Sequence, residues 1–397
     1  MNRTERSAAL VGAGFSCLAA ACGGSDAGHV AARSASPPAA VEARFTELQG
    51  PLGCAESTSA LPPPPDGCDG ATALVDSARR EYRALFEAGG STGEAPDLEE
   101  NLQQYERDFA AQHPFEAHTV TRDGFTIAAR EFGADHDGPV VLLMHGFPDN
   151  QHLYDAVAPV LGEKVRTITF DFVGWGDSTH PPADHVYTVD SLRADVDAVV
   201  NYFHLDDVVP VVHDASGWPG IDWALDNEAR VRTLVLLNTV YNATPGTAPP
   251  NVIRALGSPD LRPAFIEAAG DDALMTRALF RGQVGQFFTD PTAKAKYLPV
   301  LEARIAASRP GLYGLTDGLL DIVLSRNASL PRMSAFSKRV VIGFGADDRY
   351  LNTQVAQAFA EAFSTSTLTF ISGANHYVQL DKPSAVAELI LGAAQGS

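Results

Sequence analysis

The sequence is poor in cysteine and in positive charge, and it has no long apolar run outside its N-terminus. Its 4 cysteines show no metal-ligand spacing. Because 29 Lys and Arg stand against 49 Asp and Glu, the net charge is −20 and nucleic acid would be repelled. No internal run approaches the roughly 20 apolar residues that span a bilayer. What remains is a globular protein, whose 45% hydrophobic residues can fill a large core.

Residues 1–21 have the pattern of a secretory signal. Arg3 and Arg6 precede a short apolar run of small residues, which predicts export. Cys22 follows Leu18 and three alanines and resembles the processing site of bacterial lipoproteins, although the leucine usually lies three residues before the cysteine instead of four. The resemblance implies a lipid anchor on Cys22. The alternative is an ordinary signal peptide and a periplasmic or extracellular protein.

The next two segments differ in composition. Residues 22–70 are rich in Pro, Ala, Ser and Gly and lack an apolar period, which predicts a tether. Within it, Cys54 and Cys68 either pair in an oxidising compartment or remain free thiols. Residues 71–114 have apolar residues at helical spacing and predict two helices packed on the main domain, unless they continue the tether.

From residue 115 to residue 397 the pattern predicts an α/β fold. Two alternating segments joined by Arg122–Gly124 predict a β-hairpin, and apolar runs such as Pro139–Met144 predict strands buried on both faces. Strands then alternate with helices, which predicts a mostly parallel sheet with helices on both faces. Helical spacing over about residues 243–337 predicts a lid inserted before the last two strands, at the edge where such sheets bind ligands.

One predicted strand, beginning at Val208, runs through small residues directly into a helix. Such a turn strains its apex residue and leaves space only for small flanking residues. With Asp214 at the apex the flanking residues fit, whereas Ser216 at the apex would place the large Trp218 at a flank. The pattern therefore favours Asp214 over Ser216 as a nucleophile. The alternative is that Asp214 only caps the helix.

Two later loops supply the other groups that a nucleophile needs. Asp347 and Asp348 follow the penultimate strand, and His376 follows the last one. A carboxylate in one loop can orient an imidazole in the other, and Asp214, aspartate and His376 then occur in the chain order of a catalytic triad. A turn residue and a solvent-exposed histidine are the alternatives.

A further loop predicts an oxyanion hole. His145-Gly-Phe-Pro148 comes directly after a buried strand, and Gly146 permits a tight backbone turn there. The amide of Phe147 can then point into the site, together with the amide of Ala215 that follows the apex.

Five segments together resemble the epoxide hydrolase and haloalkane dehalogenase branch of the α/β-hydrolases: HGFP, DFVGWGDS, VVHDASG, FGADDRYLN and GANHYVQLDKP. The resemblance implies that Asp214 forms an ester with a saturated carbon and that water activated by His376 hydrolyses it. It also implies that Asp348, which has the family's spacing from Gly345, orients His376. Nothing in the sequence indicates a metal or an organic cofactor, so the expected partners are a small apolar organic substrate and water. The oligomeric state stays open.

The choice between the two activities depends on side-chain donors. Dehalogenases of this branch hold the halide with Trp after the nucleophile and with Trp or Asn after His-Gly, where this chain has Ala215 and Phe147. Epoxide hydrolases use two lid tyrosines, for which Tyr297 and Tyr313 are candidates unless they are core residues. The sequence thus ranks epoxide hydrolysis first and dehalogenation second. An esterase using Ser216 and a noncatalytic binding protein rank lower.

Overall fold

The computed structural model describes residues 98–182, 184–244, 253 and 280–396. The predicted signal, tether, Cys22 anchor, first N-terminal helix and beginning of the lid lie outside the described residues, as do Cys54 and Cys68, and these interpretations stay predictions. Within the described ranges, no helix combines the length and the apolar character that crossing a bilayer requires.

The described chain is organised on one eight-stranded sheet. Its order is β1-β2-β4-β3-β5-β6-β7-β8; the β1–β2 and β2–β4 pairs are antiparallel, and the other neighbours are parallel. The predicted, mostly parallel α/β sheet is therefore confirmed. The strands are β1 (Glu116–Arg122), β2 (Phe125–Phe132), β3 (Val140–Met144), β4 (Thr167–Phe170), β5 (Val208–Asp214), β6 (Thr233–Thr239), β7 (Arg339–Gly345) and β8 (Ser366–Ile371).

Helices connect these strands, and four of those in the described ranges stand between β6 and β7, where the lid was expected. The helix α1 packs on the main domain through Phe109, whose ring meets that of Phe132 edge-on. The helices are α1 (Leu98–Gln112), α2 (Ala158–Gly162), α3 (Val189–Tyr202), α4 (Gly217–Asp226), α5 (Pro291–Glu302), α6 (Ile305–Asp317), α7 (Leu319–Ser325), α8 (Leu330–Ala335), α9 (Thr353–Ala362), α10 (Val378–Asp381) and α11 (Pro383–Gln395).

The central strand β3 shows why its sequence is apolar throughout. Successive side chains of a strand point to opposite faces. Leu142 and Met144 accordingly pack into one buried cluster, and Val141 and Leu143 pack into another. Both faces of the sheet are therefore covered at its centre, which leaves the loops at the ends of these strands to form a site.

The strand β5 continues two residues beyond the Val212 end that the apolar run predicts. His213 pairs with Leu237 of β6, and the register then shifts so that Asp214 pairs with Thr239. Asp214 therefore lies at the carboxyl end of β5.

Candidate active site

Asp214 lies at a strained turn between β5 and α4. Its φ angle is +52°, in the left-handed region that a residue with a side chain rarely adopts. A Cβ atom added to Gly146 would lie 2.5 Å from the Cβ of Asp214, and one added to Gly217 would collide with Thr239 and the carbonyl of Val240. Small neighbours therefore make room for the turn, which projects the Asp214 side chain from the end of the strand.

The side chain of Ser216 forms hydrogen bonds within this turn. Its side chain is fully buried, and its Oγ accepts from the N–H of His213 at 2.9 Å. The same hydroxyl lies 2.7 Å from the carbonyl of His213 and 3.0 Å from the carbonyl of Met144. A substrate cannot reach a hydroxyl that is enclosed in this way. The choice of Asp214 over Ser216 as the nucleophile stays a prediction.

The two predicted oxyanion donors converge on the Asp214 carboxylate. The N–H of Phe147 donates to Oδ1 at 3.1 Å, and the N–H of Ala215 also donates to the carboxylate. The other oxygen, Oδ2, lies 3.7 Å from Nε2 of His376, and 22% of the Asp214 side chain is exposed. If Oδ2 formed an ester, Oδ1 would be its carbonyl oxygen and would already accept from the N–H of Phe147.

Asp348 and His376 form the expected pair of carboxylate and imidazole. Nδ1 of His376 lies 2.8 Å from Oδ2 of Asp348, and this contact directs Nε2 towards Asp214. The Asp348 carboxylate is buried and also accepts from two backbone amides of the following loop at 2.8 and 3.1 Å. Asp347 is exposed. The structure thus brings Asp348, and not its neighbour, to the imidazole.

Asn238 supports this pair and was not singled out from the sequence. Its Nδ2 donates to Oδ2 of Asp348 at 3.0 Å, and its Oδ1 accepts from the N–H of Gly345 at 2.7 Å. The available signal was an amide directly after the apolar run Leu234–Leu237 of β6, and the structure buries this amide fully. A buried amide of this kind needs partners, so it predicts a polar network.

Burial and neighbouring charges shift the pKa values of His376 and Asp214. Burial alone would lower the pKa of His376, but the charge and hydrogen bond of Asp348, together with the charge of Asp214, raise it above its ordinary value. Burial raises the pKa of Asp214, although His376 and the amides of Ala215 and Phe147 oppose this rise.

A second buried carboxylate, Asp149, also went unrecognised in the sequence. It directly follows the HGFP segment and is 2% exposed. The hydroxyl of Tyr377 donates to its Oδ1 at 2.5 Å. Burial raises the pKa of Asp149 to about 7, and the charge of Asp214 adds to this effect. The sequence indicates these two residues only by their position, because Asp149 directly follows the HGFP segment and Tyr377 directly follows His376.

Aromatic side chains lie around Asp214 and His376. The ring of Phe147 lies 4.3 Å from that of Trp175 and 5.3 Å from that of Phe172, measured between centroids. The ring of Phe287 lies 4.5 Å from that of His376. These contacts suit an apolar substrate.

The two lid tyrosines occupy different environments. Tyr297 on α5 is 7% exposed and belongs to the buried cluster that also contains Phe288 and Tyr377. Tyr313 is partly buried on α6, the helix whose Gly311 packs against Trp175. Hydrogen bonding of these tyrosines to a substrate stays a prediction.

Two groups in the described ranges have residue types that bind metals. Neither includes a residue of the predicted triad, and in each a histidine nitrogen lies close to a carboxylate. Nδ1 of His152 lies 2.7 Å from Asp155, and Nε2 of His118 lies 2.9 Å from Glu131. The groups are Glu106, His152 and Asp177, and Glu116, His118 and Glu131.

Comparison with known families and proteins agrees with this architecture. A family model for the alpha/beta hydrolase fold matches residues 139–383. The AB hydrolase superfamily protein YfhM of Bacillus subtilis (strain 168) is 22% identical over 282 residues, which cover 68% of this chain and 95% of that protein. The bifunctional epoxide hydrolase 2 of Rattus norvegicus is 28% identical over 141 residues, which cover 35% of this chain but only 25% of that protein.

Among solved structures, the haloalkane dehalogenase DatA from Agrobacterium tumefaciens C58 is similar with a TM-score of 0.60. The match covers 71% of this chain and 97% of that one, at 20% identity. At this identity the likeness concerns the fold alone.

Proposed function

Because this chain belongs to the alpha/beta hydrolase fold family, we propose that it is a hydrolase whose nucleophile is Asp214. The observation that carries the proposal is the placement of the Asp214 carboxylate at the strained turn, between the amide of Phe147 and the imidazole of His376. A carboxylate that attacks a saturated carbon leaves an ester, and water can hydrolyse an ester. The substrate therefore needs no acyl group.

In the first step, Oδ2 of Asp214 attacks a carbon of an epoxide, and the bond from that carbon to the epoxide oxygen breaks. The oxygen leaves with the bonding electrons and must take up a proton. Tyr297 and Tyr313 in the lid are the proposed donors. The carboxylate needs no base for this attack, since it is ionised at neutral pH.

In the second step, Nε2 of neutral His376 takes a proton from water, and the resulting hydroxide attacks the ester carbon. Negative charge develops on Oδ1, where the N–H groups of Phe147 and Ala215 stabilise it. The bond between Cγ of Asp214 and the ester oxygen then breaks, and the leaving alkoxide takes the proton from His376. The Asp214 carboxyl, which keeps the oxygen of the attacking water, loses the remaining proton, and this balances the proton that the epoxide oxygen took up in the first step. Asp348 stabilises the imidazolium in between.

Epoxide hydrolysis to a diol is the preferred reaction. Ala215 and Phe147 have no side-chain donor for a halide, and a relative named as an epoxide hydrolase matches part of the chain. Dehalogenation is the second candidate, and one observation favours it. Within the described residues, the indole N–H of Trp175 is buried without a hydrogen-bond partner, and its ring contacts Phe147.

A panel of substrates distinguishes these reactions. The full chain is assayed with an epoxide, a bromoalkane and a p-nitrophenyl ester, beside Asp214→Ala and Ser216→Ala. We expect turnover of the epoxide, loss of turnover in Asp214→Ala, and only a reduction in Ser216→Ala, because that hydroxyl supports the turn. Ester turnover that depends on Ser216 alone would reverse the assignment.

We further propose that the protein is exported and anchored by a lipid on Cys22. The charged and apolar order of residues 1–21 and the small residues before Cys22 support this proposal.

A further inference from the structure

The two groups that the hydrolysis step needs are supplied by distant parts of the chain. Phe147 follows β3 and His376 follows β8, and β5, β6 and β7 lie between these two strands in the sheet. The sheet alone therefore does not fix one loop against the other. Each loop has a hydrogen bond to the end of β5, from the N–H of Phe147 to Asp214 and between His213 and the carbonyl of His376. A direct contact between the loops constrains the distance from the amide of Phe147 to the imidazole of His376 further.

Asp149 and Tyr377 make such a contact. Asp149 lies two residues after Phe147, and Tyr377 lies directly after His376. Although 228 residues separate them, the Tyr377 hydroxyl donates to Oδ1 of Asp149 at 2.5 Å. Both side chains are almost fully buried, so water competes little for this hydrogen bond.

The surroundings of Tyr377 hold its ring in place. The ring meets those of Phe287 and Phe288 edge-on, with centroids 5.4 and 5.0 Å away. The N–H of Tyr377 also donates to the carbonyl of Phe287 at 3.2 Å. Because the ring is fixed, the hydroxyl has a defined position, and the Asp149 side chain must lie within hydrogen-bond distance of it.

We propose that the hydrogen bond between Asp149 and Tyr377 is a positioning link that holds the Phe147 amide and His376 in register for ester hydrolysis. This inference rests on the proposed two-step mechanism. Formation of the ester uses the Asp214 carboxylate and the lid donors, whereas its hydrolysis needs both linked groups at once. Loosening the link therefore slows the second step and spares the first.

The variants separate positioning from other roles. Tyr377→Phe and Asp149→Ala each remove the hydrogen bond, whereas Asp149→Asn keeps an oxygen that accepts from Tyr377. Tyr105→Phe is the matched control, because the Tyr105 hydroxyl also donates to a buried aspartate, Asp155, at 2.8 Å. The control bond joins α1 to Asp155, which the 3-10 helix Gln151–Tyr154 separates from Asp149, and it does not involve the His376 loop.

Each variant, as full chain, is mixed with one equivalent of epoxide, quenched at intervals and weighed, so that ester formation and ester loss are timed separately. We expect Tyr377→Phe and Asp149→Ala to slow ester loss by at least about 10-fold, since small misplacements of reacting groups are costly, and to change ester formation by less than about 3-fold. Asp149→Asn and Tyr105→Phe should lose the ester at a rate within about 3-fold of wild type.

Three results overturn the link: unchanged ester loss in Tyr377→Phe, equal slowing of both steps, or Asp149→Asn as slow as Asp149→Ala. The last result would mean that the carboxylate itself acts. If Asp149→Ala does not fold, the rates of ester loss in Tyr377→Phe and Asp149→Asn still test the link. Wild type that turns over substrate without ever forming an ester refutes the proposed function, and the link with it, which is a distinct outcome.

Discussion

Oδ2 of Asp214 lies 3.7 Å from Nε2 of His376, too far for a hydrogen bond. A serine nucleophile requires a hydrogen bond of about 2.6–3.2 Å to its base, because the base must remove its proton before attack. A carboxylate has no such requirement. The separation therefore suits a mechanism in which His376 acts on a water molecule after the ester has formed.

We expect the two half-reactions to differ in pH dependence. His376 must be neutral to accept a proton from water, and its pKa is raised above the ordinary 6.5. Hydrolysis should therefore fall as the pH drops through the pKa of His376 in the ester, where Asp348 still raises this pKa but the charge of Asp214 is gone. Asp214 loses its reactivity only when its carboxylate is protonated. The ordinary pKa of this carboxyl group is 3.8, and burial raises it.

Rapid-quench mass spectrometry of the wild type measures this difference, because the ester should accumulate in mildly acidic buffer and disappear in alkaline buffer. Identical pH profiles for ester formation and ester loss would contradict the assigned roles.

Asn238 is expected to matter for both activity and stability. Asn238→Ala leaves the N–H of Gly345 and one contact of Asp348 without their partner. An unsatisfied buried group costs about 1–3 kcal/mol, so the free energy of unfolding should fall by that order. The turnover number should fall too, since Asp348 is less firmly held against His376.

Asn242→Ala serves as the control, because Asn242 is also buried and its amide donates to Asn327 at 3.2 Å without contacting Asp348. Denaturant unfolding and steady-state kinetics compare the two variants. Equal losses of turnover in both would show that Asn238 has no particular connection to the pair.

The lipid anchor is tested on the protein from membranes. Mass spectrometry of the N-terminal peptide should show a diacylglyceryl group on Cys22, and Cys22→Ser should move the protein out of the membrane fraction. A soluble wild-type protein whose N-terminus begins elsewhere would contradict this proposal.

The sequence is sufficient to predict the fold because its signals are local and strong. The apolar run of β3, the hairpin at Arg122–Gly124 and the small residues around Asp214 each constrain the backbone directly. The carboxylate, imidazole and amides predicted from strand ends do meet in space, since parallel strands deliver their carboxyl ends to one edge.

The supporting residues were harder to predict. Asn238 and Asp149 act through partners 110 and 228 residues away, and no local pattern reveals a partner at that distance. Burial, which gives Asp149 its raised pKa, depends on the assembled fold. The apolar run predicts that β5 ends at Val212, but the strand continues to Asp214, which pairs with β6 after a shift in register that apolar patterning does not encode.

The most direct test of the account is to weigh intact His376→Gln after incubation with a substrate that the wild type turns over. An Asp214 nucleophile should still attack, and without a base the ester should persist. The account predicts one equivalent of added mass, equal to the whole epoxide or to the alkyl group of a bromoalkane, on the peptide that contains Asp214. The double variant with Asp214→Ala should gain no mass. An unmodified His376→Gln protein, or a mass gain located on another residue, would contradict the central claim that Asp214 is the nucleophile.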